Sequence, residues 1–186
     1  MDLVEEFLRK QLTPGEQLLW WGRPAQGVIL RPADTLLIPF SLLWGGFAIF
    51  WEYMVLSSGN APVFFAVWGV PFVAIGLYLI AGRFFFDAWQ RAHTLYAVTN
   101  QRILIMSGLK TWNLKSINLR TLSDLSLSER SRGLGSISFG PPNPLAWTAG
   151  SGWPGRSQAT PSFELIPDAR SVYELIRRAQ ESRSSP

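Results

Sequence analysis

The chain has 186 residues, a net charge of +4 from 17 Lys or Arg against 13 Asp or Glu, one histidine and no cysteine. Disulfides and thiolate metal sites are therefore excluded, and a single imidazole removes most metal and acid–base arrangements. The charge is uneven: residues 1–34 hold four bases against five acids, whereas the stretch from Arg83 onward holds 13 against 7. Those bases are scattered through strand-like sequence and form no dense stripe, which argues against nucleic acid and for a surface of anionic membrane lipid.

Residues 2–12 place Leu3, Val4, Phe7, Leu8 and Leu12 at helical spacing, with acids early and bases late. This predicts a short amphipathic helix that suits the helix dipole. Thr13-Pro14-Gly15-Glu16 ends it, and Gln17 to Pro24 follows as an apolar, strand-like piece. Trp20 and Trp21 fit two roles equally, as anchors at a membrane interface or as packing for a cytoplasmic domain.

Two apolar segments dominate the middle of the chain, Thr35 to Leu56 and Ala61 to Gly82, joined by Ser57 to Asn60. Each has 22 residues, and at about 1.5 Å per residue each reaches roughly 33 Å, enough to cross the ~30 Å hydrocarbon core of a bilayer. The short connector makes them an antiparallel hairpin. It carries no Lys or Arg, whereas Arg9, Lys10, Arg23 and Arg31 precede the hairpin and Arg83 and Arg91 follow it. The positive-inside rule then places both termini in the cytoplasm. Asp2, Glu5 and Glu6 at the start are unlike a cleaved signal sequence.

Ser41, Gly45 and Gly46, with Gly69 and Gly76 on the second segment, offer small-residue faces for close helix packing. Asp34 or Thr35 is placed to cap the first helix. Glu52 lies one turn from the far interface and is expected to snorkel to headgroups. With no second charge inside the segments, a transport path has little support.

Helix is expected to run on through Arg91, and then the periodicity changes. His93 to Thr99 and Arg102 to Gly108 flank Asn100-Gln101 as a β-hairpin, and Trp112 to Ser116 alternates as a third strand. Leu125 to Ser128, Ile137 to Phe139 and Ser162 to Ile166 add further short strands, a pattern that indicates an antiparallel barrel or sandwich. Val172, Leu175, Ile176 and Ala179 then mark a one-faced C-terminal helix, with Asp168 as its cap or a capping box from Ser171 to Glu174. Gly140 to Pro161 interrupts the strands with 22 residues that include four Gly, five Pro, Trp147 and Trp153. A loop of this length is unusual unless functional or mobile, and its tryptophans suit either a partner contact or the domain's own surface.

Catalytic motifs are weak. Ser107-Gly-Leu-Lys110 lacks the helix start and companion motifs that its chemistry needs. Gly133 to Ser138 has Ser where a dinucleotide loop needs its third Gly. His93 reads as a hydrogen-bonded linker residue more than a pH sensor. No cofactor, metal site or enzyme activity is expected.

Tyr96-Ala-Val-Thr-Asn-Gln-Arg-Ile-Leu-Ile105, Gly133-Leu-Gly-Ser-Ile137 and Phe163-Glu-Leu-Ile-Pro-Asp168 resemble, in that order, the membrane-associated bacterial pleckstrin-homology-like (PH-like) domain family. Leu12 to Glu16 and Trp21 to Pro24 add a looser match. The resemblance implies a bacterial protein with a binding or scaffolding role and no catalytic residues. The expected molecule is an α+β membrane protein: an N-terminal cytoplasmic segment over residues 1–34, a transmembrane hairpin over 35–90, and a cytoplasmic PH-like barrel or sandwich with a C-terminal capping helix over 91–186. Its expected location is the bacterial inner membrane.

Two functions follow. One is a scaffold that binds protein, either itself as a homo-oligomer or a larger membrane complex, through its small-residue helix face and its barrel, with Trp147 and Trp153 on the long loop as candidate contacts. The other is a reader of lipid headgroups through Arg83, Arg91, Lys110 and Lys115. The second is disfavoured because eukaryotic relatives read phosphoinositides with a basic cluster in the first hairpin loop, and Thr99 to Arg102, taken as the matching stretch, offers one Arg.

Overall fold

The computed structural model describes residues 3–108, 113–122, 124–130, 133–141 and 160–184. In chain order the elements are α1 (Leu3–Lys10), β1 (Leu18–Gly22), α2 (Asp34–Ser57), α3 (Val63–Leu77), a π-helical turn (Tyr78–Gly82), α4 (Arg83–Ala92), β2 (Thr94–Thr99), β3 (Arg102–Ser107), β4 (Asn113–Asn118), β5 (Leu125–Glu129), β6 (Leu134–Phe139), β7 (Ser162–Pro167) and α5 (Ala169–Ser184). The described residues divide into two compact units, one of residues 28–88 and one of the flanking segments.

The flanking unit holds two antiparallel sheets, ordered β1-β2-β3-β4 and β5-β6-β7. They do not close: among the described residues no ladder joins β4 to β5 or β7 to β1, so the arrangement is a two-sheet sandwich and not a barrel. Strand alternation explains the packing. Tyr96, Val98 and Ile103 face Ile137, Phe139 and Phe163 of the second sheet, and Val172, Ile176 and Ala179 of α5 complete this core. The next residues along, Leu95, Ala97, Leu104 and Met106, face the other way and are covered by Leu8 of α1, which is fully buried. Strands β2 and β3 are apolar on both faces because both faces are covered. The edge strand β4 is largely exposed.

Trp20 and Trp21 settle into this scheme. Trp20 pairs with Val98 and packs on the inter-sheet core, while Trp21 pairs with Ala97 and packs under α1. Both therefore serve the domain. Because β1 pairs with β2, and residues 28–88 lie between them in sequence, the apolar helices are inserted into the first hairpin of the sheet. Thr99 to Arg102 turns β2 into β3 and is the second hairpin loop, which corrects the sequence-based match to the first. Proximity in sequence made β2–β3 look first; the true first hairpin is split by some sixty residues.

The other unit is a helical hairpin. Asp34–Ser57 has 24 residues, and Val63–Ala92 is helical over 30, both long and apolar enough to cross a membrane. They pack where side chains are smallest: a Cβ added to Gly76 would lie 2.8 Å from Gly45 Cα. Ser41, Gly45, Ala48, Gly69 and Gly76 are buried. Gly46 is exposed, with open space at its Cβ position, so it packs nothing within the hairpin.

Candidate functional site

The residues that carry the family resemblance form structural joints. Glu16, whose side chain is fully buried, is the centre of the first. Its carboxylate accepts from the Thr13 amide and hydroxyl (both 2.9 Å), from the Thr99 hydroxyl (2.7 Å), and from Arg102 Nε and Nη2 (2.9 and 3.0 Å). Burial by itself raises a carboxyl pKa, but the Arg102 guanidinium and the Thr donors outweigh it and hold Glu16 down to about 2. Asn100 completes the joint by exchanging bonds with Gln17: Gln17 N–H donates to its Oδ1, and its own N–H donates to Gln17 O. Thr13 to Glu16 and Thr99 to Arg102 are thus one clasp that ties the N-terminal segment to the β2–β3 turn.

The second joint lies at the other sheet. Gly133 adopts φ +71° at the turn into β6, and a Cβ on Gly135 would meet Ala169 Cβ at 2.6 Å, so this glycine lets α5 start against β6. Phe163 stacks on Tyr96 at 4.6 Å, and the Tyr96 hydroxyl accepts from Glu164 N–H, which links the two sheets. Leu165, at φ 51°, sits opposite the irregularity between Gly135 and Ile137. Asp168 N–H donates to Gly133 O, and its carbonyl accepts from Val172, so α5 begins at Ala169 and not at a capping box from Ser171.

The basic residues nominated for lipid contact are arranged differently from expectation. Arg83 is 4% exposed. It pairs with Asp34 at 2.8 Å, and its guanidinium carbon lies 4.4 Å from the Phe84 ring centroid. The ring face partly compensates Nε and Nη2, which have no hydrogen-bond partner among the described residues. Arg31 pairs with Asp87 at 3.0 Å beside it, and Asp34 also accepts from Arg31 N–H at 2.6 Å, closing the first turn of α2. Arg91, 5% exposed, donates to the carbonyls of Ala25 and Gly27. Both arginines face their own chain, Arg91 donating to backbone carbonyls and Arg83 relying on the Asp34 carboxylate and the Phe84 ring. Both have partners within the chain, Asp34 for Arg83 and the Ala25 and Gly27 carbonyls for Arg91. Lys115 is exposed on edge strand β4. Lys110, Trp147 and Trp153 lie outside the described residues.

Glu52 also departs from expectation. Its Oε2 is buried without a hydrogen-bond partner among the described residues, and a Cβ on Gly69 would collide with it. The carboxylate turns toward α3 and does not extend to the helix end. His93 Nδ1 donates to Trp89 O at 2.8 Å, the linker arrangement expected of it. The clasp and the buried arginines were missed because each joins residues tens of positions apart; the signal for the clasp was that Thr13 to Glu16 and Tyr96 to Ile105 both carry the family resemblance.

Comparison with known proteins agrees with this architecture. A family model described as the bacterial PH domain matches residues 38–180. An uncharacterized 23.7 kDa protein in the puhA 5′ region of Rhodobacter capsulatus is 24% identical over 188 residues, covering 92% of this chain and 83% of that protein. No solved structure gives a significant match. PH-like domains are typically binding or scaffold modules without catalytic activity. With the family model spanning most of its length, the chain belongs to the bacterial PH domain family.

Proposed function

We propose that this protein is a membrane-anchored scaffold whose PH-like domain binds protein at the cytoplasmic face of a bacterial membrane, with both termini on that side. One observation carries the reading. The basic side chains best placed to read a headgroup are occupied: Arg83 by Asp34, Arg91 by backbone carbonyls and Arg102 by Glu16. The first hairpin loop, the position of headgroup recognition in the eukaryotic relatives, is given over to the apolar helices. What remains for recognition is the surface of the sandwich and the loop between β6 and β7, where Trp147 and Trp153 provide partner specificity.

Affinity purification of the full chain in mild detergent with mass spectrometry tests this. A reproducible protein partner or a self-associated species is the expected result, and deletion of Asn143 to Gln158 abolishes capture while leaving the fold intact. A monomer that captures no protein but selects one headgroup from mixed vesicles overturns it in favour of lipid reading.

A further inference from the structure

We propose that lipid covers the open end of the helical hairpin past Gly82, so that Leu36, Phe85 and Phe86 touch acyl chains while Arg31, Asp34, Arg83 and Asp87 form an ion-pair layer at the inner margin of the apolar slab. The inference rests on the membrane-anchored reading above and names what the anchor's surface touches; it invokes no headgroup.

The side chains at this end are distributed in the reverse of a water-facing segment. The charged groups are inside: the side chains of Arg31, Asp34, Arg83 and Asp87 are only 4–13% exposed. The apolar groups are outside, with Leu36 and Phe85 each 69% exposed and Phe86 37%. Ion pairs on the helices of the other unit do the opposite, since the i,i+4 pairs of α1 and α5 leave their side chains 28–80% exposed. Water gives no reason to hide four charges and display three large apolar groups beside them; hydrocarbon favours both.

The pairing pattern points the same way. Each leg of the hairpin supplies one Arg and one Asp, and the pairs cross between the legs, Arg83 to Asp34 and Arg31 to Asp87. Arg83 and Asp87 stand four apart on α4, the spacing that serves ion pairs on an exposed helix, yet Arg83 takes its partner from the other leg. The layer is thereby neutral and self-contained, the condition for holding charges away from water. The Phe84 ring against the Arg83 guanidinium adds an attraction that grows as water is excluded.

Helix length permits this depth. The sequence-based span ended at Gly82, before the first charge. From Val63, the first residue of α3, to Phe85 the helix rises about 33 Å, which at the ~20° tilt usual for such helices becomes roughly 31 Å along the bilayer normal. That matches the ~30 Å hydrocarbon core without leaving the exposed phenylalanines in water.

The chain has no cysteine, so single spin labels can be placed on the full protein in vesicles of phosphatidylethanolamine and phosphatidylglycerol. Leu36→Cys and Phe85→Cys carry the test, Gly46→Cys on the exposed face of α2 is the reference within the span, and Lys115→Cys on β4 is the reference outside it. Power-saturation EPR compares collisions with oxygen, which concentrates in lipid, and with a water-soluble nickel chelate. The labels at Leu36 and Phe85 are expected to favour oxygen, like that at Gly46 and unlike that at Lys115. If they favour nickel while Gly46 favours oxygen, lipid stops short of the charge layer, and the proposal fails with the anchored reading intact. Low collision with both reagents means that protein covers these residues, which also overturns it. A Gly46 label that favours nickel removes the membrane-anchored reading itself. In a second measurement, Arg83→Asp is expected to lose carbonate-resistant membrane retention, and Asp34→Arg combined with Arg83→Asp to regain it. A single variant retained like the parent, or a swap no better than the single variant, overturns the buried layer.

Discussion

Glu16 shows how one side chain decides whether a distant segment belongs to a domain. Its lowered pKa is a statement about stability. A carboxylate held below its ordinary value of 4.5 stabilises the fold while ionised; that contribution is present in full above about 4.5 and is lost as pH falls toward the folded value of about 2. Acid denaturation should therefore show a limb between those values. Glu16→Gln is expected to erase it and to destabilise the domain at pH 7 by about 2 kcal/mol, since Arg102 loses its counter-charge and one of its two acceptor oxygens. Denaturant titrations at pH 3 and pH 7 check both parts; a variant with an unchanged acid limb would show that another carboxylate governs it.

At the level of elements, the helical hairpin and the sandwich use opposite devices to pack. In the hairpin, contact depends on the absence of side chains: Gly76 lies against the Gly45 backbone, so Gly76→Val must push the helices apart. A loss of about 2 kcal/mol is expected in detergent unfolding, whereas Gly46→Ala, facing open space, should stay within about 0.5 kcal/mol of the parent. In the sandwich, contact depends on filled volume. Ile176 of α5 is fully buried in the core, and Gln180 Nε2 pins the end of the same helix to the carbonyls of Leu119 and Leu122. Ile176→Ala should cost about 2–5 kcal/mol through the cavity left between α5 and the sheets. Thermal melts that fail to separate Ile176→Ala from the parent would mean that α5 does not close the core.

For the whole molecule, inserting the apolar helices between β1 and β2 makes the helical hairpin an excursion from a domain with its own two cores. Replacing residues 28–88 by a short Gly-Ser linker should therefore leave a soluble sandwich with intact β1–β2 pairing, because both ends of the excursion belong to the same unit and Arg91 bonds the carbonyls of Ala25 and Gly27. A cooperative melt and protected amides in β1 are the expected readouts; a molten product would show that the domain needs its helices. Reporter fusions at Asn60 and Ser184 test the topology of the full chain. The expected pattern is cytoplasmic activity at Ser184 and none at Asn60.

The sequence by itself determined whatever repeats at short range. The two apolar stretches, the strands from Thr94 to Ser107 and the face of α5 were legible because length and periodicity are local and burial on a regular element leaves a regular trace. The family motifs were legible too, though as patterns without a cause. Tertiary structure alone decided their cause and the fate of the charges. Only pairing across the insertion shows that Trp20 and Trp21 pack against the domain's two cores and that Thr99 to Arg102 is the second hairpin. Likewise, only three-dimensional neighbours reveal that Arg83 and Arg91 face inward, that Glu52 turns to Gly69, and that, among the described residues, the strands form two sheets that no ladder joins. The physical reason is common to all of them: a guanidinium, a carboxylate or a strand edge takes whatever partner the fold brings, and that partner's distance along the chain leaves no period to read.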